Sequence, residues 1–133
     1  MSRTLSTSSS SGITLTNAGT ANNPFTISST GKITPATGDG LVAVGKATYN
    51  WTVDNFGTVT STPSSTHGIY LGPGTAIASG TITNESGGRI SSGGYGIVIN
   101  GPGFVTNKAG GTISARTSRP STSLALVPSS TPG

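Results

Sequence analysis

Three side chains with polar or proton-transfer chemistry stand at one fixed interval. Asp39, His67 and Tyr95 each precede a glycine, and 67 − 39 and 95 − 67 both equal 28. A carboxylate that orients an imidazole, in a chain full of serine, is the raw material of a hydrolytic triad. A triad also needs a positioned serine and oxyanion donors, and no motif here specifies either. Asp39, His67 and Tyr95 are therefore expected to be polar turn residues stacked in register, a surface column about 4.8 Å from member to member.

The carboxylates Asp39, Asp54 and Glu85 are the whole acidic complement of the chain. Glycoside hydrolysis needs a facing pair, and calcium needs a cluster of oxygen ligands. Asp54 and Glu85 lie near the ends of equivalent segments and come close without a third partner to complete a site. The run G-G-Y-G-I-V at Gly93 carries Val98 where a calcium-binding nonapeptide requires Asp. The absence of cysteine removes disulfides and thiolate metal ligands. No catalytic residue, metal ligand or cofactor is assigned.

The seven basic residues, Arg3, Lys32, Lys46, Arg89, Lys108, Arg116 and Arg119, give a formal charge of +4 but are scattered, which argues against nucleic acid as a partner. No apolar run is long enough to span a bilayer. Trp51, Phe56, Tyr70 and Tyr95 offer aromatic faces on which a sugar ring could stack, although core packing suits Trp51 better. The sequons at Asn50 and Asn84 are what a chain this rich in Ser and Thr produces by accident.

The 28-residue interval extends well beyond these side chains. Gly followed by Ile or Leu occurs at Gly12, Gly40, Gly68 and Gly96, each 28 residues after the last. Each dipeptide opens an alternating segment: I-T-L-T, L-V-A-V, I-Y-L-G and I-V-I-N. Residues i and i+2 of a strand share a face, so Ile13/Leu15, Leu41/Ala43, Ile69/Leu71 and Ile97/Ile99 should point inward. Thr14, Val42, Tyr70 and Val98 should point outward.

A second ladder reads G-K-I-T, G-T-V-T, G-R-I-S and G-T-I-S from Gly31, Gly57, Gly88 and Gly111, with Ile33, Val59, Ile90 and Ile113 inward. A third precedes it, F-T-I-S-S, W-T-V-D-N, T-I-T-N and F-V-T-N, with Ile27, Val53, Ile82 and Val105 in register and strand ends at Ser29, Asn55, Asn84 and Asn107. The G-P-G spans at Gly72 and Gly101 mark matching turns. Asn tolerates left-handed turn conformations and its amide can bond the amide above and below, so Asn55, Asn84 and Asn107 are expected to form an internal ladder.

Charged residues are 8% of the chain against about 25% in an average domain, and β-branched residues recur between glycines. Three short strands in the same order four times describe a solenoid. The expected fold is all-β, a right-handed parallel β-helix of about four 28-residue coils with three short strands each. A meander of hairpins is the competing architecture, disfavoured because equivalent strands recur one coil apart rather than across two-residue turns. The repeat domain is expected over residues 12–116. A Ser-rich disordered N-terminus (1–11) and a flexible Ser/Thr/Pro-rich tail (117–133) lie outside it, and only S-L-A-L-V from Ser123 resembles a further strand.

The segments H-G-I-Y-L, S-G-G-R-I-S, Y-G-I-V-I-N-G and A-G-G-T-I-S resemble the repeats of bacterial autotransporter passenger regions, over about residues 12–116. The resemblance implies an exported β-helix rod at the bacterial surface or secreted, bearing adhesive or enzymatic loops, with a host-surface protein or glycan as partner. The chain has no signal segment, no translocator barrel and few coils, so a fragment or small relative is expected. It would belong to a longer solenoid or self-associate through its open coil ends. The alternative is a module or remnant of a carbohydrate-active β-helix protein, a lyase, hydrolase or phage tailspike.

Overall fold

The computed structural model describes residues 3–16, 22–44, 46, 49–72 and 78–115. The tail 117–133 and the turn residues Pro73 and Gly74 lie outside the described residues. The described chain forms strands β1 (Arg3–Leu5), β2 (Ser8–Ser9), β3 (Ile13–Leu15), β4 (Phe25–Ile27), β5 (Lys32–Ile33), β6 (Leu41–Ala43), β7 (Asn50–Asn55), β8 (Thr58–Ser61), β9 (His67–Leu71), β10 (Ser79–Asn84), β11 (Arg89–Ser92), β12 (Tyr95–Ile99), β13 (Gly103–Asn107) and β14 (Thr112–Ala115). Every third strand joins the same sheet, in the orders β1-β4-β7-β10-β13, β2-β5-β8-β11-β14 and β3-β6-β9-β12. All the pairings are parallel, so the arrangement is solenoid-like and not a hairpin meander.

The 28-residue repeat becomes a column in the third sheet. Ile13 pairs Leu41, Leu41 pairs Ile69, and Ile69 pairs Ile97. These residues and their i+2 neighbours Leu15, Ala43, Leu71 and Ile99 are buried in one apolar core. Ile33, Val59, Ile90 and Ile113 face them from the second sheet, and Phe25, Val53 and Ile82 from the first. Each fully buried Ile or Leu contributes about 1.5–3 kcal/mol of transfer free energy. Close approach requires the glycines that open the first three repeats, Gly12, Gly40 and Gly68. A Cβ on Gly40 would lie 2.7 Å from the carbonyl oxygen of Gly68, and one on Gly68 would lie 2.6 Å from that of Gly96.

Two expectations need correction. β1 and β2 lie inside residues 1–11, which were expected to be disordered. Arg3–Leu5 pairs with Phe25–Ile27, and Ser8–Ser9 with Lys32–Ile33. Backbone hydrogen bonding to the strand above orders these polar segments, and Leu5 packs on the core from the end.

The register of β4 also differs. Phe25, not Ile27, pairs with Val53, and Ile27 pairs with Asn55. Four residues separate Ile27 from Lys32 whereas two separate Asn55 from Thr58, and Lys32 pairs with Thr58, so the earlier strand ends at Ile27 and not at Ser29. Val98 faces outward as expected, in register with Tyr70 and apart from the core cluster, although it is only 5% exposed.

Side-chain amides extend the ladders where strands stop. Asn23 donates from Nδ2 to the Asn50 carbonyl and accepts the Thr52 amide on Oδ1, both at 2.8 Å, so it acts as one more residue of β4 against β7. Trp51 is fully buried, its indole N–H bonded to the Val44 carbonyl at 3.1 Å, which places it in the core rather than on a sugar-stacking face.

Candidate functional site

The column of Asp39, His67 and Tyr95 sits where the chain enters the third sheet. His67 and Tyr95 are the first residues of β9 and β12 and pair directly. Asp39 ends the turn below, after Gly38 at φ 80°, a left-handed conformation that glycine adopts freely. The Gly40 amide then bonds the His67 carbonyl at 3.0 Å, which holds Asp39 level with the imidazole.

The Asp39 Oδ1 accepts the His67 backbone N–H at 2.7 Å and lies 2.9 Å from its Nδ1. A carboxylate can only accept here, so Nδ1 carries the proton and Nε2 is the ring nitrogen left for other contacts. The imidazole lies 5.6 Å from the Tyr95 ring at 17° and 4.3 Å from the Tyr70 ring at 35°. The structure thus brings Asp39, His67 and Tyr95 together and adds Tyr70, which sequence reasoning had placed on the outer face without joining it to the column. Strand alternation sets residues three apart on opposite faces, so H-G-I-Y carried no signal for this contact.

The hydroxyls nearest this column serve the scaffold. Ser61 and Ser92 are buried with their Oγ atoms 2.9 Å apart. Ser61 Oγ also lies 3.0 Å from the His67 carbonyl, Ser92 Oγ bonds the Thr66 carbonyl at 2.9 Å, and Thr66 Oγ1 reaches Ser61 Oγ at 2.9 Å. This hydroxyl cluster was missed in the sequence. T-V-T-S and R-I-S-S place Ser61 and Ser92 two residues after the inward Val59 and Ile90, which is the signal that could have found it. On the outer side an open cavity of about 280 Å³ is lined by Thr60, Ser91 and Ser114 together with these serines.

The asparagines form a buried file. Asn55 Nδ2 donates to Asn84 Oδ1, and Asn84 Nδ2 donates to Asn107 Oδ1, each at 2.8 Å. The same Nδ2 atoms reach the turn carbonyls of Gly57 and Gly88. Ile27 occupies the corresponding place below Asn55.

Asp54 and Glu85 share their end of the first sheet with a cation. Lys108 Nζ lies 2.7 Å from Glu85 Oε1. Burial, and then the Glu85 charge, push the Asp54 carboxyl above its ordinary value, with Lys108 opposing. A carboxylate neutralised by lysine and a second one disfavoured as an anion make a charge-balanced surface cluster. Among the described residues no group of three His, Asp or Glu side chains could hold a metal ion, and no helix is long and apolar enough to cross a membrane.

The functional signal of the site is therefore an oriented imidazole flanked by two tyrosine rings on a rigid wall. No family model, curated protein or solved structure matches the chain.

Proposed function

We propose that this chain is a structural and adhesive segment of a bacterial surface or secreted protein of the autotransporter passenger kind, a right-handed parallel β-helix of about four 28-residue coils that does no chemistry of its own. The observation that carries this reading is the parallel pairing throughout three sheets, which stacks the repeated residues of the third sheet into columns on one wall. Columns of like residues suit repeated lateral contacts with a host-surface protein or glycan. The Asp39–His67–Tyr95 column with Tyr70 is the most chemically distinct of them. In support of a non-catalytic role, the neighbouring Ser61 and Ser92 hydroxyls are committed to buried bonds.

A glycan array probed with the purified chain, run beside a reducing-sugar assay on acidic polysaccharides, tests this. Binding without release of reducing ends is the expected result. Release that disappears in Asp39→Asn would replace it with the second reading, a carbohydrate-active β-helix module. The oriented Asp39–His67 pair is the observation that favours that alternative.

A further inference from the structure

The first and second sheets each have five strands among the described residues, whereas the third has four. Strands enter the sheets in strict rotation, so the strand that should follow β14 belongs on the open edge of β12. We propose that this edge is the docking site of the chain's own segment Ser123–Val127, which pairs with β12 as a fifth strand of the third sheet.

Four observations converge on that occupant. The segment reads Leu124-Ala125-Leu126-Val127, four apolar residues in a row like Leu41-Val42-Ala43-Val44 in β6 and the residue after it. Its spacing is one residue longer than the longest corresponding step in the repeats, which vary by three among themselves. From the inward residue of the second sheet to that of the third, the step is 8 residues for Ile33 to Leu41, 10 for Val59 to Ile69 and 7 for Ile90 to Ile97. Ile113 to Leu124 is 11.

Proline follows the strand as it does in the two repeats below. Pro73 stands two residues after Leu71, Pro102 three after Ile99, and Pro128 two after Leu126. Lastly, β12 is the end strand of its sheet, yet its outward residue Val98 is only 5% exposed.

The backbone supplies the bonding partners. The Ile13 amide donates up to the Gly40 carbonyl in the next strand. By the repeat, the Ile97 amide points to the place the docked segment fills, with Leu124 beside Ile97, Ala125 beside Val98 and Leu126 beside Ile99. A second copy stacked end to end would offer β1 to β13 and β2 to β14. Its β3, one strand further round, would leave the β12 edge unfilled.

The chain has no cysteine, so an engineered pair reports cleanly. Adjacent strands bring paired Cα atoms to about 4.8 Å, within disulfide range. The double variant Val98→Cys/Ala125→Cys is expected to oxidise to an intrachain disulfide in the monomer. Tyr70→Cys/Ala125→Cys, one strand further away, is expected to stay reduced. A disulfide between two chains would mean that another copy covers the edge. Equal oxidation of both pairs, or of neither, would mean that the segment does not dock there. Each of these outcomes overturns the proposal.

Discussion

One oxygen of Asp39 holds two nitrogens of His67, its backbone amide at 2.7 Å and its Nδ1 at 2.9 Å, across a 28-residue step of the repeat. The turn below therefore fixes both the path of β9 and the orientation of its imidazole. Asp39→Ala should cost about 1–2 kcal/mol, because a half-buried amide loses its acceptor. Asp39→Asn keeps an oxygen in place and should cost less than half as much. Urea unfolding of the two variants against the parent checks this, and equal losses would assign the effect to charge rather than to the bond.

The asparagine file should be most sensitive at its centre. Asn84→Ala removes both inter-amide bonds and leaves the Gly88 and Thr112 carbonyls without their Nδ2 partner. We expect a loss of about 3 kcal/mol or more. Asn107→Ala, at the end of the file, breaks one inter-amide bond and should cost about 1 kcal/mol. Thermal melts of the two variants should differ accordingly, and an equal shift would mean that the file is not cooperative.

Asp54 gives a pH signature. Its folded-state pKa lies above 3.8, so between 3.8 and the raised value the folded chain binds more protons than the unfolded chain. Stability therefore falls as pH rises through that window, and the penalty is fully present above it. Asp54→Asn should raise stability at neutral pH by a few tenths of a kcal/mol, about what a largely solvated charge is worth. The gain should vanish toward pH 3. Stability curves that stay parallel down to pH 3 would show that Asp54 is not the titrating group.

The two sides of the third sheet should respond oppositely to charge. Ile69→Asp buries a carboxylate in the core and should cost about 4 kcal/mol or more, enough to unfold the stack. Thr14→Asp, on an exposed position, should stay within about 0.5 kcal/mol. Circular dichroism of both variants at 25 °C distinguishes them.

How much of this the sequence revealed depended on the type of signal. The third-sheet columns were legible because Gly-Ile and Gly-Leu recur at one exact interval and alternate apolar with polar. The asparagines were legible because three of them end equivalent strands. β1 and β2 were hidden, since R-T-L and S-S carry no paired inward apolar residues and depend on the neighbouring strand for their order. The shift of β4 was hidden by aligning strand ends on polar residue type. Counting four residues back from Gly31, Gly88 and Gly111 would have placed Ile27 beside Asn84 and Asn107. The serine cluster escaped because serine reads as surface until its inward parity is noticed.

The two amide–amide bonds of the file run the same way, Asn55 donating to Asn84 and Asn84 to Asn107, always to the later coil and starting above Ile27, which can neither donate nor accept. The stack is therefore vectorial. Each Nδ2 also closes its own turn, on the carbonyl of Gly57, Gly88 or Gly111, and in Asn55 and Asn84 it reaches on to the next coil as well, whereas the opposite end of the file is closed by hydrocarbon. A chain emerging from its N-terminal side meets a template at each step.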